Sequence, residues 1–137
     1  MRAERQKMGG ASTRVEAGRF KAKVSQERIE TFKAMVAAEP NQEMVWYGLA
    51  NEYLKLERWA EAAEALRQVL KLNGDFTAAY QMLGTALVNQ GRREEARRAW
   101  MDGIEAANRT GAWKARQHME GLMANSQATE AGGEFCE

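Results

Sequence analysis

Apolar residues recur at three- and four-residue spacing along most of this chain. Ile29, Phe32, Met35 and Val36 form one stripe ahead of Pro40, and Trp46, Leu49, Ala50 and Tyr53 form the next. At about 3.6 residues per turn, positions so spaced share one face of a helix. The pattern predicts helices over residues 25–38, 42–56, 59–72, 76–90, 93–108 and 112–125. Turn-forming residues separate them, so the expected class is all-α, with short connections between antiparallel neighbours.

The pattern also repeats. Sliding residues 43–76 over 77–110 pairs Leu49 with Leu83, Arg58 with Arg92, Glu61 with Glu95, Ala62 with Ala96 and Ala65 with Ala99. Trp46 matches Tyr80, Ala50 matches Gly84 and Leu70 matches Ile104 conservatively. A 34-residue period with an aromatic residue, then Leu, then Gly or Ala, resembles the tetratricopeptide repeat, of the small bacterial kind. The signature residues are Trp46, Leu49, Ala50, Tyr53, Ala62 and Leu66, then Tyr80, Leu83, Gly84, Leu87, Ala96, Trp100 and Gly103. Small residues at the crossing of each helix pair let the backbones approach, and the large ones fill the space between pairs. Gly91 falls in a tight turn, and Gly74-Asp75 stands where the family usually has proline.

The resemblance implies a right-handed solenoid of helical hairpins with two full repeats, flanked by an N-terminal helix and a C-terminal capping helix. The domain is expected over residues 25–125, with repeats at 43–76 and 77–110 and the cap at 111–125. Lys114, Gln117 and His118 replace the signature in the cap, whose stripe of Ala112, Ala115, Met119, Leu122 and Met123 is expected to cover the last repeat. Arg28 stands where the leading helix should carry a small residue.

The same resemblance implies a concave groove lined by the first helix of each pair. Its expected members are Met44, Tyr47, Asn51, Leu54 and Lys55 from the first repeat, and Ala78, Gln81, Thr85, Val88 and Asn89 from the second. The cap would add Arg116, Met119 and Met123. Tyr47 offers an apolar ring and a hydroxyl, the amides can bond a peptide backbone, and methionines adapt to varied shapes. Some family members grip a terminal carboxylate with five residues. Of these, only Asn51 and Arg116 match, while Tyr47, Met82 and Ala112 replace the others, which argues against such a clamp.

Composition narrows the function. At 137 residues, 45% hydrophobic and 28% charged, the chain suits one soluble domain. One histidine, His118, and one cysteine, Cys136, cannot build a zinc site or a disulfide framework within one chain. No nucleophile with a base and an orienting acid is implied, so the expectation is a non-catalytic adaptor without cofactor or metal. No apolar run reaches the length of a membrane span, and a cytoplasmic location is expected.

The net charge is only +1, but the ends differ. Residues 1–25 hold seven basic side chains against two acidic ones, and residues 126–137 hold Glu130, Glu134 and Glu137 with no cation. Residues 1–24 read as a flexible basic arm and residues 126–137 as a disordered acidic tail. The leading reading is an adaptor that binds a protein or peptide partner as a monomer or weak homo-oligomer. The alternatives are a nucleic-acid-associated scaffold tethered by the basic arm and a self-assembling repeat protein. Arg92, Arg93, Arg97 and Arg98 are interleaved with Glu94 and Glu95, a solvated face that weighs against nucleic acid.

Overall fold

The structure, a computed structural model, describes the backbone of residues 2–136 and the side chains of residues 17–126. Six helices follow one another: α1 (Arg2–Ala38), α2 (Glu43–Lys55), α3 (Trp59–Leu72), α4 (Thr77–Asn89), α5 (Arg93–Thr110) and α6 (Trp113–Cys136). There is no strand among the described residues. Helix α3 coincides with its expected bounds, and α2, α4 and α5 differ from theirs by two residues or fewer at each end. The terminal helices run further than expected. Residues 17–24, read as part of a flexible arm, are helical and continue α1. Apart from Val24 these residues are exposed, so no apolar stripe announced them, while nothing between Gly18 and Pro40 breaks a helix. The rest of the expected arm, and the tail beyond Ser126, lie outside the described side chains.

The main contacts follow chain order, α1 to α2 and so on to α6, with the closest association inside the pairs α2/α3 and α4/α5. Each pair is a hairpin of one repeat. Its crossing is made by small residues: Ala50, Ala62 and Ala96 are fully buried. Gly84 must lack a side chain, because a Cβ there would run into the indole of Trp100. Trp100 is itself buried and donates from Nε1 to the Gln81 carbonyl at 3.3 Å. Leu66, Val69 and Leu87 fill the space between hairpins.

Trp46 and Tyr80 occupy equivalent places down to single bonds. Trp46 Nε1 donates to the Pro40 carbonyl at 2.8 Å, and Tyr80 Oη donates to the Gly74 carbonyl at 2.9 Å. Donor and acceptor are each displaced by one period, so the two side chains close corresponding inter-hairpin turns. The turns within the hairpins also correspond. The Arg58 amide donates to the Tyr53 carbonyl and the Arg92 amide to the Leu87 carbonyl, both at 2.9 Å. Each turn passes through a left-handed residue, Gly91 (φ 79°) as expected and Glu57 (φ 57°), which the sequence did not mark.

The end helices dock by different means. α1 lays Phe32 across Gly48, where an added Cβ would stand 2.8 Å from the ring, and buries Ile29 completely. Arg28 is not a misfit: it reaches Glu52 Oε1 at 3.5 Å, as does Lys55 Nζ at 3.2 Å, and Glu52 is buried. Met35, expected in the apolar stripe of this helix, is instead exposed. At the other end α6 covers α5 and touches α4, with Ala112, Ala115, Leu122 and Met123 packed against the core.

Candidate functional site

The expected groove residues divide into three groups. Asn51, Leu54 and Lys55 come together with Phe32, Gly48, Glu52 and Met82 around a cleft of about 540 Å³ bounded by α1, α2 and α4. Its walls are apolar at Phe32, Leu54 and Met82 and polar at Asn51 and Lys55. Phe32, Gly48, Glu52 and Met82 were not foreseen as lining residues. Gly48 and Glu52 belong to α2 itself, while Phe32 and Met82 enter from α1 and α4, which a reading of one helix face at a time does not connect.

The second group stands on the surface outside the cleft lining. Met44 is 62% exposed, a large apolar side chain left in solvent. Thr85 and Asn89 are exposed, and both turn back onto their own helix: Thr85 Oγ1 donates to the Gln81 carbonyl and Asn89 Nδ2 to the Thr85 carbonyl. Thr85 Oγ1 and Asn89 Oδ1 remain as acceptors on this exposed face, and Asn89 keeps a second N–H. Val88 is exposed at the end of α4 and borders a separate hollow with Trp100 and Leu122. Arg116 is exposed, bonded to Asn108 Oδ1 at 3.1 Å and paired with Glu120.

The third group is structural. Met119 is fully buried, and its sulfur and methyl occupy the space a Cβ on Gly103 would need. Its expected place in an open groove is therefore corrected; it serves the capping stripe of α6 instead. Met123 is partly buried in the same stripe. Tyr47 is half-buried, its ring 4.7 Å from that of Phe76, so it ties α2 to the start of α4. Ala78 and Gln81 are half-buried on α4.

Charged side chains outside the cleft are largely paired along helices. Arg58 donates to both carboxylate oxygens of Glu61, which holds its guanidinium more firmly charged, and lies 4.9 Å above the Tyr53 ring. The basic cluster of α5 meets carboxylates: Arg92 faces Glu95 at 3.7 Å, Arg97 faces Glu94 at 3.2 Å, and Arg67 bridges from α3 to Glu95 at 3.4 Å. His118 is exposed. Among the described residues no three His, Cys, Asp or Glu side chains are grouped to hold a metal ion, and no helix is long and apolar enough to cross a membrane.

Residues 47–112 match the family model of the tetratricopeptide repeat. The chain carries tetratricopeptide repeats. Among solved structures, the fold is similar to that of a protein from Bordetella parapertussis, at 25% identity over 78% of this chain and 93% of that one, with a TM-score of 0.68. It is similar to a tetratricopeptide repeat domain protein of Salinibacter ruber, at 22% identity over 66% of this chain and 91% of that one, TM-score 0.60. It is also similar in fold to the TPR2B domain of yeast Sti1, solved in complex with pHsp70, at 13% identity over 80% and 98%, TM-score 0.68. No protein of curated function matches the sequence. In this tetratricopeptide repeat protein the matched residues run from Tyr47 in α2 to Ala112 just before α6, so both hairpins lie within the match apart from the first turn of α2.

Proposed function

We propose that this tetratricopeptide repeat protein is a non-catalytic adaptor that binds a segment of a partner protein along the inner wall formed by α2 and α4. The observation that carries the reading is the cleft at Asn51, Leu54 and Met82, which joins an apolar floor to polar side chains at its edge. A partner side chain seated there buries apolar surface, the main source of affinity, while Asn51 and Lys55 fix its register. Exposed Met44 extends the apolar surface, and the outward acceptors of α4 suit the N–H groups of an extended or helical segment.

The test compares partner capture by the full chain with capture by Met44→Ala/Asn51→Ala, with Met101→Ala on α5 as a surface control. Tyr47 is left intact because its contact with Phe76 makes it a stability residue. Capture drops for the double variant and persists for the control, and NMR shifts on binding cluster at Asn51, Leu54 and Met82. Equal capture by all three proteins refutes the proposal.

A further inference from the structure

A second cleft, of about 630 Å³, lies where α1 overshoots the end of α2. Phe20, Val24 and Leu56 supply its apolar surface, and Lys21, Arg28 and Lys55 its charge. No carboxylate lines it among the described residues, although Arg28 and Lys55 both reach the buried Glu52 behind it, so the rim keeps a positive excess, and Phe20 is 67% exposed. An apolar hollow ringed by cations selects a segment that carries carboxylates beside a large apolar side chain. The chain contains one. Residues 126–137 hold Glu130, Glu134 and Glu137, no cation, and Phe135 as their only large apolar residue. The glutamates recur at spacings of four and three, which brings them to one side of a helical segment.

We infer that this cleft receives the acidic segment 126–137 of a second copy of the chain. Phe135 sits against Phe20, Val24 and Leu56, and the glutamates face Lys21, Arg28 and Lys55. The occupant comes from another molecule because α1 and α6 flank the stack on opposite sides, with α2 to α5 between them. A head-to-tail contact of this kind is not self-complementary, so a bound pair still has one free cleft and one free segment, and association grows with concentration. The cleft shares Lys55 with the adaptor cleft but does not use Met44, Asn51 or Met82, and its test reads Phe20, Lys21, Val24 and Leu56, so its failure is distinguishable from failure of the adaptor reading.

Cys136, the sole cysteine, permits a direct test in the full chain. A nitroxide is attached there on unlabelled protein, which is mixed with isotope-labelled protein carrying no nitroxide. The amide signals of Phe20, Lys21, Val24 and Leu56 broaden in the labelled copy, and the broadening fades at high salt. Lys21→Glu and Glu134→Lys each weaken association by about tenfold, in line with the loss and reversal of an ion pair, and mixing the two variants restores it. Four results overturn the inference: no broadening in the mixture at millimolar protein, as expected if a foreign segment is the natural occupant; broadening only when nitroxide and isotope share one chain; broadening centred on Asn51 and Met82; or indifference to both charge reversals.

Discussion

Two turns one period apart adopt the same left-handed geometry with different residues, and this sets up a paired substitution. The α2–α3 turn places Glu57 at φ 57° and the α4–α5 turn places Gly91 at φ 79°. Their amides donate to Leu54 and Val88 carbonyls at 3.0 and 2.9 Å, so the hydrogen bonding is equivalent. A residue with a Cβ pays about 1–2 kcal/mol in the left-handed region. Glycine avoids that cost but gives back about 0.4–1 kcal/mol through the larger entropy of the unfolded chain. Glu57→Gly is therefore expected to stabilise by about 0.5–1 kcal/mol, and Gly91→Ala to destabilise by a similar amount. The Glu57 side chain is exposed and makes no ion pair seen among the described residues, so losing its charge adds little. With roughly 2 cal/mol/K of unfolding entropy per residue over about 110 residues, 1 kcal/mol corresponds to about 4 °C in Tm. Urea unfolding followed by far-UV circular dichroism measures both variants, with unchanged slopes confirming that the folded state is intact. A lower midpoint for Glu57→Gly, or an unchanged one for Gly91→Ala, refutes the argument.

Gly84→Ala drives a methyl group into the Trp100 indole and is expected to cost about 1–3 kcal/mol, with a change in tryptophan near-UV circular dichroism. Wild-type stability and spectrum in this variant would show that the α4/α5 crossing has room to spare. Burial raises the Tyr80 pKa above its ordinary value of 10.0, with Asp102 and Asp75 adding to the shift. The unfolded phenol ionises first, so this contribution to stability is complete below about pH 10 and is lost as pH climbs from there towards the folded value. Tyr80→Phe begins about 1 kcal/mol less stable without the bond to Gly74, but lacks this alkaline loss; urea midpoints on either side of pH 10 separate the two slopes.

How far the sequence reached depended on whether burial was periodic. In α3 one face carries Ala62, Ala63, Leu66 and Val69, all buried, and periodicity located both ends of the helix. In α1 the described residues 17–23 are all exposed, so this part of the helix extends unannounced. The candidate site was legible in part. Asn51, Leu54 and Lys55 follow from their face of α2, but their companions Phe32 and Met82 come from helices on either side.

Local order is written into the chain itself. The spacing of apolar and small residues sets six helices, their hairpin pairing and the period of 34, because 3.6-residue periodicity and close helix crossing are one-dimensional constraints. The fate of single side chains was settled by contacts between distant elements. Met119 went into the core because Gly103 left space for it, and Tyr47 was half covered by Phe76. Glu52 was buried because Arg28 came across from α1 to meet it, and Glu57 was turned left-handed by the hairpin it must close. Each of these depends on which surface arrives opposite a residue, and that is a property of the packed helices rather than of any one segment.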